Sequence, residues 1–158
     1  MIIAACSGMG LAKSQELHKY LQELEEVKKM FCILKSELQY TRAPFAEAFE
    51  KIAKKVEEPY REWLLRLGER LRNKTKSSFW EIWCQSIAED LHSTRLKTDE
   101  LDELKNVGKN LEYIGSLDLY IEQIEFKIAN TRETNRSKRK LCQSMGIMGG
   151  IFLVILLL

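Results

Sequence analysis

SQELHKYLQELEEVKKMFCILKSELQYT, residues Ser14–Thr41, sets Leu17, Leu24, Phe31 and Leu38 on one heptad position and Tyr20, Val27 and Leu34 on a second. Strict three-four spacing over about four heptads predicts a long helix with a narrow buried seam. Ser14 either opens that helix or lies inside one that rises from the chain's start. Arg42-Ala43-Pro44 closes it, because proline disfavours helical geometry in the residue before it.

Pro44 suits a first helical position, and Phe45, Ala48, Phe49, Ile52 and Val56 continue a helical stripe to about Glu57. Pro59 repeats the device ahead of Tyr60, Trp63, Leu64, Leu67 and Leu71. After the polar break Asn73–Ser77, Ser78-Phe-Trp-Glu81 matches a capping box, with a hydroxyl at the cap and a carboxylate three residues on. Phe79, Trp80, Ile82, Trp83, Ile87 and Leu91 follow. Thr98-Asp-Glu opens a fifth helix with Leu101, Leu104, Val107 and Leu111 inward and Gly115 near its stop. Ser116 is expected to cap a sixth, carrying Leu117, Ile121, Ile124, Ile128 and Thr131. No alternating strand pattern interrupts the series. The expected fold is all-α, a helical bundle of about six helices over 13–135, the first and last long and running into the chain's two apolar ends.

Leu141–Leu158 carries no charge. As a helix, a run of that length reaches about 27 Å, close to the ~30 Å of bilayer hydrocarbon. It is expected to span a membrane. Arg132, Arg136, Lys138, Arg139 and Lys140 stand directly before it, and basic residues beside a span stay on the cytoplasmic side. With Lys13 they form the expected membrane-surface set, 136–140 being its dense part. A nucleic-acid surface fits less well, because no aromatic residues interleave the cluster.

At the other end, residues 1–12 are apolar but too few to cross a bilayer, and no basic segment precedes them. They are read as a span that has lost its outer part, with a short interfacial anchor as the alternative. Ile3-Ala4-Ala5-Cys6 also fits a lipobox, which would put the body outside the cell against the positive-inside rule. Ala4 and Gly8, and Gly146 and Gly150, recur at four-residue steps, the spacing that lets membrane helices approach closely. These two faces are candidates for packing within one hairpin or for self-association, though glycine is also common in membrane helices.

Catalytic material is sparse. Net charge is +2 and the chain has two histidines, His18 and His92. Cys6, Cys32, Cys84 and Cys142 form no Cys-x-x-Cys pair, which argues against zinc or dithiol chemistry. Glu89-Asp-Leu-His92 has the Glu-x-x-His spacing of di-iron bundles, but the second copy is missing, since Gln15 precedes His18. A membrane-tethered di-metal enzyme is therefore the weakest of three readings. The second is a general tail-anchored helical adaptor. No catalytic residue, metal or cofactor is expected.

Three stretches carry a resemblance to a known family. Leu38-Gln-Tyr40-Thr-Arg-Ala-Pro44-Phe resembles a tyrosine-to-proline turn of the stage III sporulation protein AB family. Leu104-Lys-Asn-Val-Gly108-Lys-Asn-Leu111 is similar to its glycine-bearing fifth helix, and Lys140-Leu-Cys-Gln-Ser144-Met-Gly146-Ile-Met-Gly149-Gly150 to its closing span. The family usually has threonine where this chain has Ala43, and loss of such a cap typically costs ~1 kcal/mol. It also begins with a complete N-terminal span.

The resemblance implies a non-enzymatic platform subunit of the channel between mother cell and forespore. Its fold would be similar to the cytoplasmic domains of the type II secretion F platform protein. It implies a place in the mother-cell membrane around the forespore, with the bundle in mother-cell cytosol. The implied partners are a secretion-type ATPase and the membrane subunits of the same complex. Tyr40, Arg42 and Pro44, at the turn between the first two helices, are the candidate partner-binding residues; a turn there would be surface on folding grounds as well.

Overall fold

The computed structural model describes residues 2–41, 44–73, 77–111 and 114–157; the side chains of 2–14, 138–139, 141–154 and 156–157 lie outside the described set. Six α-helices and no strand occur among the described residues: α1 Ile2–Tyr40, α2 Phe45–Ala53, α3 Tyr60–Arg72, α4 Phe79–Asp90, α5 Thr98–Lys109 and α6 Ile114–Leu157. The all-α expectation holds. Two compact units emerge, Met1–Ile124 and Glu125–Leu158, the second being the later part of α6.

α1 passes through Ser14 without a break. Its buried stripe is wider than the heptad seam, adding Leu21 and Met30 to Leu24, Val27, Phe31 and Leu34. That width belongs to a helix packed against a core on more than one side. Phe31 meets Tyr120 of α6 edge-on at 4.7 Å between ring centres, and Lys35 pairs with Asp118. Acidic residues along α1 serve the connections instead. Glu26 accepts the Glu57 N–H at 3.2 Å, and Glu23 accepts the Arg95 N–H at 2.8 Å and its guanidinium at 3.2 Å. Loop amides left without helix partners are thereby satisfied.

α2 stops at Ala53, short of the expected Glu57. The chain turns there, and Val56 is buried as a loop residue. Pro44 is the N-cap rather than the first helical residue, its carbonyl accepting from Glu47 and Ala48 N–H, each at 3.0 Å. A cis Glu58–Pro59 peptide precedes α3. A Cβ placed on Gly68 would lie 3.3 Å from the Ala46 carbonyl, so α2 and α3 approach backbone to backbone.

α4 begins with the capping box read from the sequence: Ser78 Oγ accepts from Glu81 N–H at 3.2 Å and the Glu81 carboxylate from Ser78 N–H at 3.0 Å. At its far end Asp90, whose side chain is nearly buried, receives Arg66 at 2.8 Å and Arg70 at 3.3 Å, tying α3 to α4. Glu100 does two tasks at the start of α5. One carboxylate oxygen accepts the Lys97 N–H at 2.8 Å and the other the Tyr20 hydroxyl, which explains a carboxylate that is 5% exposed.

α6 starts at Ile114, so Ser116 is not its cap. Its hydroxyl donates to the Asn110 carbonyl at 2.6 Å, fastening the end of α5 to the first turn of α6. Gly115 lies inside that turn and stops nothing.

The core centres on Trp83. Its ring lies 5.3 Å from Trp63, 5.8 Å from Phe79 and 6.0 Å from Phe49, centre to centre. Both buried indoles are satisfied, Trp63 Nε1 donating to Ser86 Oγ and Trp83 Nε1 to the Leu104 carbonyl, each at 3.0 Å. Ser86 in turn donates to the Trp83 carbonyl at 2.9 Å, which accounts for a fully buried hydroxyl.

Tyr20, Tyr60 and Tyr120 all have their phenol pKa pushed above the ordinary 10.0, burial being the leading cause in each. A folded-state pKa above the unfolded one gives stability that is complete below the unfolded value and lost as pH rises past it. Resistance to urea is therefore expected to fall above about pH 10, the buried phenols of Tyr60 and Tyr120 each contributing about 1.4 kcal/mol per pH unit and the more exposed Tyr20 less. Urea midpoints measured across that range check this; a midpoint unchanged well above pH 10 would contradict it.

Candidate functional site

The turn nominated by the sequence is surface. Tyr40 is 79% exposed and Pro44 is exposed; Arg42 lies outside the described residues. Thr41 finishes α1 by donating its hydroxyl to the Glu37 carbonyl and, at 3.0 Å, to the Glu37 carboxylate. That bond, with Lys51 at 3.4 Å as the lesser influence, holds the Glu37 carboxyl below the usual carboxylate range.

Pro44 leads into an aromatic surface that the sequence did not disclose. Phe45, at the start of α2, packs on Phe79, at the start of α4, with 5.0 Å between ring centres; both are half-buried. Trp80 beside it is also half-buried, and Lys109 Nζ, from the last turn of α5, stands 4.8 Å above its ring. A signal for this was present. Neighbouring helical residues point about 100° apart, so Phe79, Trp80, Ile82 and Trp83 cannot all face one core stripe. Trp63 and Trp83 are core; Trp80 is the tryptophan left at the surface.

Aromatic rings with a cation above them supply apolar contact area and a charge, which suits protein recognition.

The basic set divides. Arg132, Arg136 and Lys140 are exposed, while the side chains of Lys13, Lys138 and Arg139 lie outside the described residues. Ala4, Gly8, Gly146 and Gly150 fall within the backbone of α1 or α6, and their side-chain positions lie outside it too. Among the described residues no helix is long and apolar enough to cross a membrane.

Glu89 and His92 are engaged otherwise than as a ligand pair. The Glu89 carboxylate accepts from Arg70 at 2.9 Å and from Gln85 at 2.8 Å, and His92 Nδ1 meets the Glu89 carbonyl at 2.7 Å. No cluster of three potential metal ligands occurs among the described residues. Cys32 is an exposed free thiol and Cys84 a half-buried one, its pKa pushed up by burial.

The family model of stage III sporulation protein AB matches residues 1–158. No protein of curated function matches the sequence. A solved structure of a stage III sporulation protein AB superposes with a TM-score of 0.68 at 19% identity, over 75% of this chain and 98% of that one. At that identity the likeness is one of fold. The match over the whole sequence carries the assignment: this chain belongs to the stage III sporulation protein AB family.

Proposed function

We propose that the protein is a non-enzymatic, membrane-anchored platform subunit of the channel complex between mother cell and forespore. Its helical bundle links a cytosolic secretion-type ATPase to the complex's membrane components. The family match over residues 1–158 is the observation that carries this reading.

The chain's chemistry is in keeping with it. The uncharged run Leu141–Leu158 behind Arg136–Lys140 suits a cytoplasm-facing anchor. Each basic residue there adds ~1 kcal/mol of attraction to an anionic leaflet. Residues 1–12 supply a second membrane segment, and the small-residue faces Ala4/Gly8 and Gly146/Gly150 supply helix packing or self-association. The body then lies in mother-cell cytosol, under the membrane that surrounds the forespore.

The α1–α2 turn, with Tyr40, Arg42 and Pro44, and the aromatic surface beyond it form the docking side. Co-purification of tagged full-length protein with the ATPase from sporulating cells tests this. Wild type is expected to recruit the ATPase, and Tyr40→Ala with Arg42→Glu to reduce recruitment at least about fivefold while circular dichroism stays unchanged, a loss typical of interface anchor residues. Undiminished recruitment by the folded double variant removes this turn from the interface.

A further inference from the structure

We propose that the partner segment seated on the Pro44–Phe45–Phe79–Trp80–Lys109 surface is acidic and aliphatic, a stretch with Asp or Glu beside Leu, Ile or Val. The proposal rests on the docking role given above to that side of the molecule and adds its chemical specificity.

Lys109 sets the charge of this surface. Lys35, Lys51, Arg66, Arg70, Arg72 and Arg95 each pair with a carboxylate, whereas Lys97, over the Tyr20 ring, and Lys109 do not among the described residues. Lys109 is exposed and, among the described residues, has no carboxylate within ion-pair distance; its ammonium stands over the Trp80 ring instead. The ring holds that charge in place without neutralising it. Beside it, Phe79 and Phe45 present half-buried rings already fixed against Trp83 and Phe49. Ordering them on binding therefore costs little side-chain entropy. A fixed apolar strip next to an uncompensated cation is matched by aliphatic side chains next to an anion.

An anionic lipid surface is a poorer match. Glu47 and Glu81 are exposed on the first turns of α2 and α4, the same helices that carry the rings, and a charged sheet would meet them as well. A single peptide segment can place its carboxylate at Lys109 and avoid both.

The test uses full-length protein in detergent micelles. It is immobilised and panned against a library of random 15-residue peptides, and enriched peptides are synthesised and titrated by fluorescence anisotropy. Enrichment of acidic-aliphatic sequences is expected. Their affinity should fall about tenfold, one charge contact at a binding hot spot, with Lys109→Glu and less with Lys109→Gln. Lys19→Glu, at an exposed position on α1, should leave it unchanged.

Circular dichroism monitors folding, and the glutamine variant keeps the test valid should the glutamate one unfold. No enrichment, enrichment of neutral or basic peptides, or equal binding by both Lys109 variants would overturn the proposal. So would loss on Lys19→Glu alone, or loss of flotation with phosphatidylglycerol vesicles on Lys109→Glu, which would make this a lipid surface. Selection of acidic peptides without ATPase recruitment leaves this chemistry standing and removes the named partner. Recruitment without such peptides does the reverse.

Discussion

Alanine in place of Gly108 is expected to destabilise the protein by about 2 kcal/mol or more, the cost of overpacking a filled core. A methyl at position 108 would lie 2.3 Å from Trp83 Cδ1, 2.5 Å from its Nε1 and 2.7 Å from its Cγ. The indole cannot move aside. It is fully buried, its Nε1 is bonded to the Leu104 carbonyl, and Trp63, Phe79 and Phe49 pack around it. The clash must therefore outweigh the ~1 kcal/mol that alanine gains over glycine inside a helix.

Gly115 supplies the control. A Cβ there meets nothing within 4 Å, so Gly115→Ala should be neutral or slightly stabilising. Urea unfolding of the full-length protein in detergent reads both. Equal stability of Gly108→Ala and wild type would show that α5 does not lie against the Trp83 ring.

Trp83→Ala carries the largest expected loss, about 3–5 kcal/mol, the usual range for truncating a buried large aromatic. The substitution opens a cavity among three aromatic neighbours and leaves the Leu104 carbonyl without its indole donor. Typical domains are stable by about 5–15 kcal/mol, so unfolding should become easily measurable. Combining the two changes gives a sharper outcome. With the ring gone, Gly108→Ala meets no indole and should turn stabilising by up to ~1 kcal/mol, the reverse of its effect alone. Additive losses in the double variant would contradict the contact.

Much of this architecture was legible because its punctuation is chemical. Pro44, Pro59 and the Ser78/Glu81 box mark helix starts, each correct to within a residue. Periodicity found the buried faces of α1, α3 and α5 for the same reason.

The misses share a cause, which is contact between residues distant in sequence. Nothing local tells that Val56 is buried from a loop, that Ser116 reaches back to Asn110, or that Glu23 and Glu26 serve the amides of Arg95 and Glu57. Gly108 could be noticed in sequence, whereas its reason, a tryptophan twenty-five residues earlier lying across it, required the fold. The exposure of the turn at Tyr40 and Pro44 was legible. The surface of Phe45, Phe79, Trp80 and Lys109 forms through the meeting of α2, α4 and α5, which no spacing rule encodes.

The proposed role depends on where the helices between the two apolar ends reside. Protease added to intact sporulating protoplasts, followed by detection of the segment 13–135, tests that placement directly. The segment is expected to survive until the membrane is permeabilised and then to be cut. Digestion while the membrane is intact would place the bundle outside and remove its access to a cytosolic ATPase.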